Sequence, residues 1–95
     1  MVTHIVLFKL KDPTPENLRV TAGVLSAMDG KIPELVDIEV GIDQLKSERS
    51  FDIALRTRHR SWDELNAYQV HPIHQEVLKH MKSVVEKSVA VDWEA

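Results

Sequence analysis

The chain contains no cysteine, which excludes disulfides, thiolate metal sites and a cysteine nucleophile and fits an expected location in the reducing cytoplasm. Glycine is scarce, at three residues, and none sits in a phosphate-cradling loop or a nucleotide motif. No Ser-His-Asp hydrolase pattern is present either. No apolar run approaches the ~20 residues needed to span a bilayer. The opening Met1-Val2-Thr3-His4-Ile5 lacks the basic stretch and long apolar segment of a signal peptide. No membrane association is therefore expected. An excess of positive charge is also missing. The formal net charge is −3, so no nucleic-acid partner is expected, because non-specific binding to nucleic acid needs a basic field.

What remains is the composition of a soluble globular domain, 43% apolar and 28% charged over 95 residues. Residues 1–95 read as one domain. A chain of this length buries only about 60–65% of its unfolded surface, so its core is thin and burial against a partner would help. Thr3 to Leu10 alternates as a strand, with His4, Val6, Phe8 and Leu10 on one face and Ile5 and Leu7 on the other. It is apolar on both faces, as a strand covered on both sides would be. Thr14-Pro15 starts a helix by capping, Leu18, Ala22, Leu25 and Met28 give its stripe, and Gly30 is expected to end it. Val36 to Gly41 alternates as a second strand, and Phe51 to Arg56 as a third. Ser61-Trp62-Asp63-Glu64 has the form of a capping box and opens a helix through Leu65 and Tyr68. Pro72 interrupts that helix. A further helical stretch follows, with Val77, Leu78, Met81, Val84 and Val85 as its stripe. Val89, Val91 and Trp93 then alternate as a fourth strand, with Trp93 expected to pack.

The order β-α-β-β-α-β predicts an α+β, ferredoxin-like subunit. Its helices cover one face of the sheet. Ile5, Leu7 and Ala54 make the other face too apolar for full solvation, so a second sheet is expected against it, giving a homodimer.

Two segments, His4 to Lys11 and Ser61 to His74 with its Tyr68-Gln69-Val70-His71-Pro72-Ile73-His74, together with Val91-Asp92-Trp93, resemble the stress-responsive dimeric A/B-barrel (Dabb) family over essentially the whole chain. The resemblance implies a ferredoxin-like subunit, a dimeric α/β barrel, and a pocket between sheet and helices. That family includes plant stress-induced proteins and a polyketide cyclase type, whose Tyr and His match Tyr68 and His74. Related dimeric barrels include cofactor-free monooxygenases.

Tyr68 and His74 are the candidate catalytic residues. A neutral imidazole is a competent base near neutral pH, and a phenol can donate to a carbonyl oxygen on which charge develops. The alternative is an ordinary core tyrosine and a histidine bonded within its own helix. His4, Phe8 and His71 are the candidate ligand-binding residues. Against that, His4 can be a strand-end residue half in water, and His71 can simply cap the second helical segment. His71 and His74 lack a third ligand, and His80 falls on a different face, so no metal is expected. No organic cofactor is expected either. Arg56, Arg58, His59 and Arg60 form a basic cluster that either binds an anion or, as the preferred reading, marks the solvated end of an edge strand. The leading function is a small homodimer with a pocket for an apolar or aromatic small molecule. One alternative is a cofactor-independent cyclase or isomerase acting through Tyr68 and His74. The other is a structural, stress-associated assembly protein without a ligand.

Overall fold

The computed structural model describes residues 1–95. Strand β1 (Val2–Leu10) buries Val2, His4, Phe8 and Leu10. Helix α1 (Pro15–Ser26) begins where the Thr14 hydroxyl accepts the Asn17 N–H at 3.1 Å, with Pro15 in the first turn. Its buried residues are Leu18, Thr21 and Leu25, and the line continues to Met28. Thr21 takes the inward place expected of Ala22, because its hydroxyl finds His80 Nε2 at 3.2 Å. The regular helix stops at Ser26, short of Gly30. Turns carry the chain on to Gly30, whose φ of +76° suits a residue without Cβ.

Strands β2 (Asp37–Ile42) and β3 (Ile53–His59) follow. Helix α2 (Trp62–Val70) is capped by the Ser61 hydroxyl, which accepts the Glu64 N–H at 3.1 Å. The Glu64 carboxylate accepts from the Arg60 N–H, 3.4 Å away, so the box is only half made. Pro72 ends the run, and helix α3 (Pro72–Val84) starts afresh. Strand β4 (Val85–Glu94) begins with no intervening loop. Val85, expected on the helical stripe, is thus the first residue of the strand.

The sheet order is β2-β3-β1-β4, with every neighbouring pair antiparallel. This is the ferredoxin-like β-α-β-β-α-β arrangement. It overturns the edge-strand reading of the basic cluster, because β3 lies inside the sheet. Arg56 pairs with Asp37 and Glu39, Arg58 with Asp37, and Arg60 with Glu64. His59 is fully buried.

Side chains alternate across the sheet. Those at even positions of β1 and odd positions of β3 meet the helices, in a core that includes Leu25, Met28, Ile53, Leu55, Leu65 and Tyr68. The opposite face carries Ile5 and Leu7 of β1, Ala54 of β3, Gly41 of β2, and Val89, Val91 and Trp93 of β4. Trp93 is 42% exposed there, so the packing expected of it is not supplied within the subunit.

Replacing Ser61 by Ala removes the side-chain cap of α2 and should cost about 1 kcal/mol, whereas Leu25→Ala should cost about 2–5 kcal/mol. Denaturant titration at one fixed protein concentration checks both; equal costs would contradict this assignment of cap and core.

Candidate functional site

The site is organised around Tyr68. Leu65 and Tyr68 lie three residues apart on α2, so they share its inward face, and Tyr68 has no solvent exposure. Three imidazoles surround its ring. His74 lies 4.6 Å away between centroids, His59 4.7 Å, and His4 6.4 Å in an edge-on arrangement. The tyrosine hydroxyl donates to Met28 Sδ at 3.9 Å, a weak acceptor. Burial pushes its pKa well above the ordinary phenol value, so it stays protonated.

Each histidine is held differently. His59 has a partner at each nitrogen, the Glu34 carbonyl at 2.8 Å from Nδ1 and the Thr57 hydroxyl at 2.9 Å from Nε2. His4 stands opposite Asp92 in the β1–β4 register, and its Nδ1 donates to the Asp92 carboxylate. In the neutral ring this tautomer leaves Nε2 as an acceptor. His74 follows Pro72 on the face of α3 that also buries Val77 and Met81. Its Nδ1 is buried and has no hydrogen-bond partner.

A cavity of about 180 Å³ opens between sheet and helices beside these residues. Its wall is mostly apolar, with Phe8, Leu25, Leu55 and Met81 among its residues, and is made polar by His4, His74, Gln69 and Ser88. Of the residues singled out from sequence, His4, Phe8 and His74 line this cavity. Tyr68 stands behind the wall against the His74 ring. His71 lies outside it. Its Nδ1 accepts the Ile73 N–H at 3.1 Å and so caps α3. Asp92 was not singled out as a site residue, and His59 was read only as part of the basic cluster. Alternation could have found both, since Asp92 lies between Val91 and Trp93 on the opposite face, and His59 continues the inward series Ile53, Leu55, Thr57.

The sequence profile of the Stress responsive A/B Barrel Domain matches residues 2–95. The chain belongs to that family. This A/B barrel domain is 36% identical to the stress-response A/B barrel domain-containing protein DABB1 of Arabidopsis thaliana, over 98% of the chain and 46% of the relative. It spans less than half the length of the curated relatives it matches. A dimeric ferredoxin-like protein of unknown function from Bacteroides fragilis is 32% identical, with a TM-score of 0.83 over 99% of this chain and 95% of that one. The hydroxynitrile lyase of Passiflora edulis shares the fold, with a TM-score of 0.82 at 18% identity over 97% and 90% of the two chains.

In this A/B barrel domain no group of three or more His, Cys, Asp or Glu side chains is placed to hold a metal ion, and no helix is long and apolar enough to cross a membrane. Burial lowers the pKa of His74. The Gln69 backbone acts in the opposite sense, and neighbouring His4 and His59 add to the lowering. Burial lowers His59 as well, against the pull of the Glu34 carbonyl. Both rings are therefore held neutral in the folded protein below the pH at which they would protonate in the unfolded chain. As pH falls below the ordinary histidine value of about 6.5, the unfolded state takes up protons that the folded state refuses, and stability declines. Melting temperature should be level above roughly pH 7 and fall from about pH 6.5 downward. A melting temperature that rises between these two pH values on acidification would contradict the buried, neutral assignment.

Proposed function

We propose that the chain works as a homodimer in which each subunit binds a compact apolar or aromatic molecule in the cavity between sheet and helices, with the molecule's polar group against His74. The observation that carries this reading is the partnerless His74 Nδ1 in a side chain lining an otherwise apolar cavity. A buried polar atom left unpaired costs about 1–3 kcal/mol, and the cavity is the adjoining space from which a ligand or water can relieve that cost. A cavity of about 150 Å³ suffices for benzene, so about 180 Å³ suits a single ring, or a branched chain of similar bulk, bearing one carbonyl or hydroxyl. Dimerisation is supported by Val89, Val91 and Trp93, which stand 41%, 55% and 42% exposed on the uncovered sheet face, and by the dimeric protein from Bacteroides fragilis.

Acetophenone is a suitable probe, read by NMR shift changes at the methyl groups of Leu25, Val77 and Met81. His74→Leu should weaken its binding roughly tenfold or more, about 1.4 kcal/mol, while leaving stability unchanged or raised by about 1–3 kcal/mol. Binding undiminished by that substitution would remove His74 from the site. Light scattering at micromolar concentration should show a dimer, and a monomer would overturn that half of the reading.

A second reading, cofactor-independent proton transfer, is favoured by the His4–Asp92 pair at the cavity wall. With Asp92 fixing the tautomer, His4 Nε2 can take a proton from carbon next to a carbonyl. His74 then holds the enolate oxygen, and the Tyr68 ring supports the His74 ring. The tyrosine hydroxyl is directed to Met28, so the base role passes from His74 to His4 in this arrangement. Exchange of the acetophenone methyl protons in D₂O separates the two readings. Acceleration by the protein that is lost in Asp92→Asn and in His4→Gln supports proton transfer, and binding without acceleration leaves the pocket as a receptor.

A further inference from the structure

A second hollow adjoins the cavity on the side of the helices. It is a groove of about 380 Å³ between the end of α1 and the start of α3, with Val24, Ala27 and Ile73 in its walls. Groove and cavity share two residues, Met28 and Val77, which line both. Both side chains are buried, at 1% and 8% exposure. Elsewhere the cavity wall includes the exposed residues Gln69 and Ser88. The cavity thus has solvent at one part of its wall and, at another, a partition made of two apolar side chains with the groove beyond it.

The two halves of that partition differ in freedom. Val77 is β-branched and lies within α3, where such a side chain keeps one strongly preferred rotamer. Met28 stands beyond Ser26, the last residue of α1, in the turns that lead to Gly30. Its side chain is unbranched and adapts to irregular space. Its polar contact is with the Tyr68 hydroxyl, 3.9 Å from Sδ, and a thioether is a weak acceptor. Turning the Met28 side chain aside forfeits one weak hydrogen bond and joins the groove to the cavity. The apolar contacts given up are replaced by those of whatever chain takes its place. The groove wall is apolar except for Lys31 and Glu76, and Glu76 is paired with Lys79, so the space gained suits a hydrocarbon chain.

We infer that Met28 is a movable stop that sets the length of the bound molecule. With Met28 in place the cavity takes a single ring. A ligand bearing an alkyl extension displaces Met28 and lays that extension past Val77 into the groove between α1 and α3. This rests on the binding reading proposed above and adds the residue that selects for ligand length.

Acetophenone and para-pentylacetophenone test the stop. In Met28→Ala the dissociation constant of the pentyl compound should fall roughly tenfold or more from its wild-type value. That of acetophenone should change by less than about threefold. Val77→Ala opens the same partition from α3 and should act in the same way, which keeps the test decisive should Met28→Ala not fold. Methyl resonances of Val24, Ala27 and Ile73, which line the groove and not the cavity, should shift with the pentyl compound and not with acetophenone. Ala27 is exposed, and a tryptophan there fills the groove from outside. Adding Ala27→Trp to Met28→Ala, or to Val77→Ala, should therefore cancel the gain. If acetophenone does not bind the wild-type chain, the pocket reading and this inference fail together. If acetophenone binds through His74 but neither folded variant gains affinity for the pentyl compound, or the gain survives Ala27→Trp, the role of Met28 fails alone.

Discussion

The register of β1 is the constraint on which the rest of the structure depends. This strand is paired on both sides, with β3 and with β4. Side chains alternate with a period of two, so a slip of one residue would turn every one of them to the opposite face. His4 and Phe8 would leave the cavity, and Ile5 and Leu7 would be driven under the helices. The same pairing aligns Val2 with His59 on one side and His4 with Asp92 on the other. The ladder with β4 loses its regularity between Lys9 and Leu10, opposite the point where α3 passes into β4. Both the apolar core and the histidine cluster are consequences of this one alignment.

Within that frame polar groups are buried at unequal cost. His59 is satisfied at both nitrogens and acts as a fixed post between the β3 end and the loop at Glu34. Thr21 and His80 satisfy each other between α1 and α3. His4 is anchored by Asp92. His74 alone keeps a buried atom without a partner, and it lines the small cavity. The other buried side-chain nitrogens and oxygens have partners within the subunit, which makes the His74 nitrogen the one buried polar atom whose partner must come from the cavity.

The two faces of the sheet divide the work. The helix-covered face carries the histidine cluster around Tyr68, and the open face carries exposed Val89, Val91 and Trp93 beside the ion pairs of Arg56 and Arg58. Those ion pairs are surface contacts of modest energy. A domain of 95 residues has a limited core of its own, so covering this second face adds apolar burial that the helices cannot provide.

Alternation in β1 and β3, the proline break at Pro72 and the cap at Ser61 were legible in the sequence because each reflects local geometry, a two-residue period or a missing donor. They suffice for the element order and for which side of each strand faces inward. The placement of His4, Phe8 and His74 followed from the same periods. Other features depend on what lies across space. Thr21 displaces Ala22 from the core because His80, 59 residues away, supplies a partner. His71 is spent on capping α3 and stands outside the cavity. The Arg56–Arg60 cluster reads as an exposed edge until the sheet order places β3 inside and brings β2 carboxylates to its arginines. Asp92 gains its role only when β4 pairs with β1. Local pattern determines which face a side chain occupies, and only the tertiary pairing of distant strands decides which group it meets there.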